Sequence, residues 1–233
     1  MPTFVYHPDV LARFPGICGG VILAHGLRNG PTPEPLRAAY AAEQQAVLAR
    51  LDGQALSEIP SLAAWRSAFR AFGVEPTQYR SAAEALLRRL TKKGDIPAIN
   101  LLTDLGNLVS IRYALPVAVL DMQAIQGAVT VRFADGAEQF FPLGQSAPEH
   151  PEPGEVIFAD EAQRVVARRW CWRQSDDSAA RPATTTALFT VEAHHAGARA
   201  DIQAALDDLL DLLNRHAGGS FTWDILGPAR AAF

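Results

Sequence analysis

The densest run of side chains able to do chemistry lies late in the chain, in Arg168-Arg169-Trp170-Cys171-Trp172-Arg173-Gln174-Ser175. Guanidinium groups pair with phosphate and indoles stack on bases, so the run suits a single-stranded RNA end. Read as one strand from Arg164 to Trp172, it places Trp170, Trp172 and Arg168 on one face and Arg169 and Arg173 on the other. The same pattern also fits two core tryptophans with arginines bridging the rim of a sheet. A second group is the stripe Asn100, Thr103, Asp104, Asn107 and Ser110, which share one face of a helix read over 96–111 with Pro97 at its start. Leu101, Leu102, Leu105, Leu108 and Val109 cover much of the rest. A solvated face would carry Lys, Glu or Arg, so short amides and hydroxyls imply burial or a pocket. Two readings stay open: a hydrogen-bond network that fixes the helix, or contact with a ligand.

Other pairs are weaker. Ser81 and Glu84 stand three apart ahead of Leu86, Leu87 and Leu90, the spacing of a capping box, and are left outside the site. His194 and His195 follow Glu192 closely, but adjacent strand residues face opposite sides and no further ligands cluster nearby, so no metal is expected. The sequence lacks a GxSxG elbow, a GxxxxGK phosphate loop and a GxGxxG turn, so no cofactor is expected and any hydrolysis would use a positioned water.

Composition narrows the partners. With 48% hydrophobic and 20% charged residues, the 233-residue chain is expected to fold around a core. A formal charge of −4 argues against wide neutralisation of phosphate, so RNA contact must be local and DNA is not expected. No apolar run is long enough to cross a bilayer, and the opening residues do not read as a secretory signal. Cys18 and Cys171 lie far apart without a CxxC grouping, which fits a reducing cytoplasmic setting.

The elements that must position these residues follow from periodicity. A β-branched run from Gly16 to Ala24 predicts a buried strand, and the stretch that follows Pro35, to Leu51, has helical composition. Leu62, Trp65, Ala68, Phe69 and Phe72 recur at helical spacing between Pro60 and Gly73. Alternation from Gly127 to Phe133, then Asp135-Gly136, predicts a hairpin returning through Gln139-Phe140-Phe141. Further strands are predicted at 155–159, 164–172 and 187–193. Ile202, Leu206, Leu209, Leu210 and Leu213 mark an amphipathic helix over 198–216. It is expected to close the fold, although an exposed face on Ile202, Leu206 and Leu210 would make it a docking surface. The proline-rich stretch from Gly144 to Gly154 is the best place for a joint, yet strands flank it on both sides. One α+β domain over 1–233 is therefore expected.

The run Gly94-Asp95-Ile96-Pro97-Ala98-Ile99-Asn100, with Asp104, Asn107, Pro116 and Asp121 and then Ile125-Gln126-Gly127-Ala128-Val129-Thr130-Val131-Arg132, resembles the B3/B4-type editing domain of the phenylalanyl-tRNA synthetase beta subunit. In that family I-N-x-V-x-D-x-x-N precedes Q-P-x-H-A-F-D and a strand that starts with glycine. Arg80-Ser81-Ala82-Ala83-Glu84-Ala85-Leu86, Leu115-Pro116 and Trp170-Cys171-Trp172-Arg173-Gln174-Ser175 are similar to elements of freestanding proteins of this class. The resemblance implies an α+β fold with a mixed sheet, flanking helices and a small barrel-like β part, with a family core over about 60–195.

It also implies a pocket for an aminoacyl group on a tRNA 3′ end. Carried over residue by residue, Asn107 matches an asparagine of the site helix, and Glu192 looks like the carboxylate that reads a tyrosine hydroxyl. Asn107 and Glu192 are thus the implied catalytic residues, with Asn100, Asp104, Trp170, Trp172, Arg173, Gln174 and Ser175 as substrate contacts. Ala118 and Leu115 stand where the synthetase pattern has histidine and glutamine, and 170–186 replaces its Gly-rich stretch, so the pocket is remodelled. The implied function is trans-acting hydrolysis of a mischarged aminoacyl-tRNA ester. Its alternative is a non-catalytic module for tRNA or a free amino-acid-like ligand.

Overall fold

Apolar alternation in the middle of the chain produces two stacked sheets. The structure, a computed structural model, describes residues 2–145 and 147–233. One sheet is antiparallel in the order β3 (Val117–Asp121), β8 (Thr186–Ala193), β2 (Cys18–His25), β9 (Ser220–Leu226). The other is mixed, in the order β1 (Phe4–Tyr6), β4 (Val129–Phe133), β5 (Val156–Ala159), β6 (Val165–Arg168), β7 (Arg173–Gln174). Of these strand pairs only β1 and β4 run parallel.

Residues alternate strictly along the antiparallel sheet. Val119, Phe189 and Val191 point to one side, where they meet the helices α2 (Glu34–Arg50), α4 (Ala82–Lys93), α5 (Leu101–Tyr113) and α6 (Ala198–His216). Val21, Leu120 and Leu188 point to the other side and pack on Phe4, Val131 and Phe158 of the mixed sheet. Two helices remain: α1 (Pro8–Arg13) follows β1, and α3 (Pro60–Ala71) brings Trp65 and Phe69 into the core between the sheets. The result is three layers: mixed sheet, antiparallel sheet, helices.

The α+β class and the mixed sheet agree with expectation, but among the described residues both sheets are open and the barrel-like part is absent. Several elements differ in detail. The run after Asp135-Gly136 does not pair back on β4, because β5 and β1 already occupy its two edges; Phe140 bridges to Glu149 instead. Glu149 belongs to the stretch 144–154, where Ser146 falls outside the described residues. α5 begins at Leu101, with the Asn100 side chain accepting from the Thr103 amide at 3.0 Å, so Pro97 precedes the helix rather than opening it. In α4 the Ser81 hydroxyl accepts from the Glu84 amide at 3.3 Å, whereas the Glu84 carboxylate turns to Arg66. Half of the capping box forms. Ile202 and Leu206 of α6 are buried against Gly20 of β2, which removes the docking face considered for that helix.

Candidate functional site

After its first residue, Thr186, β8 is apolar except at Thr190 and Glu192, and its two-residue period turns both toward the mixed sheet. Glu192 is 2% exposed. The Tyr6 hydroxyl of β1 donates to its Oε1 at 2.6 Å, and the Trp170 indole N–H donates to the same oxygen at 3.0 Å. Oε2 has no hydrogen-bond partner among the described residues, and Glu192 borders a cavity of about 80 Å³. Burial pushes the Glu192 carboxyl up to about 7, against the pull of the Tyr6 and Trp170 hydrogen bonds. A carboxyl poised there can take or give a proton near neutral pH.

Trp170 reaches this position because β6 stops at Arg168. Arg169 and Trp170 both adopt left-handed backbone, with φ of 46° and 60°, and the chain reverses into β7. That conformation costs about 1–2 kcal/mol for each L-residue. The surroundings hold it: the Trp170 amide donates to the Val156 carbonyl, and its ring meets Trp65, Phe14 and His194 edge-on at centroid distances of 5.2, 5.0 and 4.8 Å. The single strand expected over 164–172 is therefore a strand and a turn, and Trp170 and Trp172 do not share a face. Trp170 is core; Trp172 is half-buried, with the guanidinium groups of Arg169 and Arg173 each 4.6 Å from its ring. The Ala82 amide donates to the Cys171 carbonyl at 2.8 Å and ties the start of α4 to this turn.

The cavity is bounded by Pro116 and Ala118 of the β3 edge, Phe158 of β5, Trp170, Trp172 and Arg173 of the turn, and Thr190 and Glu192 of β8. It sits between the two sheets, mostly apolar, with one carboxylate inside and one guanidinium at its border. Cys171 also borders it, but desolvation first and the Glu192 charge second push its thiol well above the ordinary range, so no thiolate is on offer at neutral pH.

A family model of the B3/4 domain matches residues 64–218. The chain belongs to the B3/4 domain family. Among solved structures, it is similar to an N-terminal fragment of the phenylalanyl-tRNA synthetase beta-subunit from Pyrococcus horikoshii, at 12% identity and a TM-score of 0.49. That match covers 94% of this chain and 50% of the fragment, so the chain spans half the length of that relative. No curated protein sequence matches it.

Of the residues expected in the site, this B3/4 domain brings Glu192, Trp170, Trp172, Arg173 and Gln174 to one cavity. Gln174 serves structure there, its amide donating to the Val119 and Ser178 carbonyls at 2.8 Å each. Ser175 lies off the cavity, its hydroxyl bonded to the Phe141 carbonyl. The stripe on α5 is elsewhere altogether. α5 packs Gly106 against Val117 and Val119, on the helix side of the antiparallel sheet, so Asn100, Asp104 and Asn107 are separated from Glu192 by that sheet. Asn100 caps the helix and donates to the Ala180 carbonyl. Asp104 is fully buried and accepts from the Thr32 hydroxyl and the Ile99 amide. Burial raises its carboxyl, and those two bonds oppose the rise. Asn107 stands beside the Tyr40 phenol of α2. Asn100, Asp104 and Ser110 of the stripe are bonded to protein partners, and no residue of the stripe borders the cavity at Glu192.

Two parts of the site escape sequence reasoning. Tyr6 sits in a three-residue strand whose role depends on β4, a partner distant in sequence, and carries no local signal. Arg88, Arg89 and Lys92, by contrast, fall at helical spacing on α4, and their common face was readable.

Proposed function

We propose that this B3/4 domain takes the aminoacyl group of an aminoacyl-tRNA 3′ end into the cavity at Glu192 and hydrolyses its ester. The observation that carries this reading is a carboxylate with one unengaged oxygen, poised near neutral pH, on an otherwise apolar cavity large enough for a few waters or a small side chain. Water gives a proton to Glu192 as its oxygen bonds to the ester carbonyl carbon. The bond from that carbon to the ribose oxygen then breaks, the proton passes to that oxygen, and the amino acid leaves free. Arg173, at the border of the cavity, supplies positive charge for the neighbouring phosphate. Asn107 has no part in this scheme.

Incubation with a panel of mischarged tRNAs tests the reading. Ester loss above the buffer rate for at least one amino acid, cut about 100-fold in Glu192→Gln, is the expected result. No loss above buffer for any amino acid removes the enzyme.

One observation favours a second reading, a binding module without catalysis. Among the described residues Glu192 is the only carboxylate on the cavity, and with Gln174 committed elsewhere few side-chain donors, Thr190 inside it and Arg173 at its border, remain to hold a carbonyl oxygen as charge develops. Such a module would give calorimetric heat with free amino acids or tRNA while leaving the ester intact.

A further inference from the structure

α4 carries its cations on one side. Arg88, Arg89 and Lys92 follow Ala85 at spacings of three and four, and together with Lys93, Arg80 and Arg173 they line an open groove of about 510 Å³. The groove shares Trp172 and Arg173 with the cavity at Glu192, so the two adjoin at those residues. Little in the protein neutralises it. Glu84 is buried and shared between Arg66 and Arg80, and Arg89 has a single exposed partner, Asp95, at 3.7 Å. Arg88, Lys92, Lys93 and Arg173 form no ion pair among the described residues. The Nε of Arg80 is buried without a hydrogen bond and stands 3.7 Å from the Glu84 carboxylate. The helix dipole accounts for lysines in the last turn of α4. It does not account for Arg173, which arrives from a different element, or for the indole of Trp172 beside it.

We infer that this groove binds single-stranded RNA, with phosphates along Arg88, Arg89, Lys92 and Lys93 and a base against Trp172 at the mouth of the cavity. The chain is acidic overall, so a groove holding four unpaired cations is a local feature with a polyanion as its complement. A half-buried aromatic ring with two guanidinium groups 4.6 Å from it selects a polyanion with planar groups over an acidic peptide. A single strand fits better than a duplex because a base must leave its stack to meet Trp172. The proposed function supplies the kind of RNA end, and the inference rests on it for that alone. Binding itself requires no ester.

The test uses the full chain and a labelled, unstructured 12-nucleotide RNA without an amino acid, followed by fluorescence anisotropy. The expected dissociation constant is on the order of micromolar at low salt, weakening as salt rises. The double variant Arg88→Glu/Lys92→Glu, which alters exposed side chains, should bind about 10-fold or more weakly. Its plot of log affinity against log salt should be shallower by about 0.7 for each phosphate that the variant no longer neutralises. Lys93→Glu alone should show a smaller change in the same direction, and an unchanged thermal melt establishes that both variants fold. An abasic strand of the same length should bind several-fold more weakly than RNA to the parent protein and as tightly as RNA to Trp172→Ala. Unaltered affinity in both charge variants overturns the groove. An abasic strand or a poly-aspartate peptide binding as tightly as RNA overturns the assignment to RNA. Because no ester is present, a parent protein that binds this RNA yet hydrolyses no mischarged tRNA overturns the proposed function and leaves this inference standing, whereas deacylation with RNA affinity unaltered in both charge variants does the reverse.

Discussion

A carboxylate that keeps two hydrogen bonds on one oxygen and none on the other is stable only in one protonation state at a time. The ordinary glutamate value of 4.5 applies in the unfolded chain, and burial pushes the folded value to about 7. The folded state therefore holds a proton between these values that the unfolded state has lost. Stability from this group is fully present below pH 4.5, falls as pH rises through about 7, and is flat above. The difference amounts to on the order of 3 kcal/mol at its ceiling. Glu192→Gln keeps an oxygen to accept from Tyr6 and Trp170 and has no charge to desolvate, so denaturant titrations from pH 4.5 to 8 should show that slope in the parent and not in the variant. The variant should be the more stable of the two above pH 7. Equal slopes would mean that the carboxyl titrates as if in water. In the parent, the deacylation rate should rise through pH 7 with one ionisation, since the base must be unprotonated. Gly19 of β2 protects the same arrangement: a Cβ there would collide with the Tyr6 hydroxyl. Gly19→Ala is expected to cost about 1–3 kcal/mol and to displace Tyr6 from Glu192, seen as a shifted pH profile as well as a lower melting temperature. A lower melting temperature with an unmoved profile would show that Tyr6 kept its place.

At the scale of elements, α5 and the turn after β6 explain what was legible and what was not. The stripe on α5 is polar on an apolar helix, as its spacing implies, but a stripe does not say which side of a sheet the helix takes. Register settles that: Val117 and Val119 face α5, so Glu192, facing away from Val191, lies across the sheet. The turn at Arg169 and Trp170 was invisible because left-handed backbone normally announces itself by glycine or asparagine. Here tertiary packing of the indole overrides the local preference. α3, α4 and α6 were legible because their caps and apolar spacing are local. The consequence for α5 is a division between stability and activity. Asp104→Ala strands the Ile99 amide and the Thr32 hydroxyl and should cost about 2–3 kcal/mol in denaturant unfolding. Asn107→Ala should leave deacylation and ligand binding within about 2-fold of the parent, because no wall of the cavity changes. A 100-fold loss of activity in Asn107→Ala, with an unchanged melt, would return α5 to the site.

For the whole molecule, the antiparallel sheet is the layer on which everything else depends, because its two central strands, β8 and β2, are buried on both faces. Its helix side takes up α5 and α6, and its other side forms the core with the mixed sheet in which Trp65 and Trp170 lie. This arrangement was not legible in the sequence: the strand order interleaves the N-terminal β2 with β8, β9 and β3, and pairing across such distances leaves no local trace. It does make a prediction about cooperativity. Gly20 of β2 lies under Ile202 and Leu206 of α6, and a Cβ there would stand 2.8 Å from both side chains. Gly20→Val thus strains only the packing between the sheet and the helices, on the face away from the cavity. If the three layers fold as one unit, that strain should lower the melting transition by several degrees, on the basis of about 1–3 kcal/mol of overpacking. Tryptophan fluorescence, dominated by the core between the sheets, should fall in step with far-ultraviolet circular dichroism, dominated by the helices. Helices that melt first, with the tryptophan signal unchanged, would divide the chain into two units and leave the cavity formed by the sheets alone. Ligand binding would then persist through the first transition, whereas a single unit loses binding and both signals together.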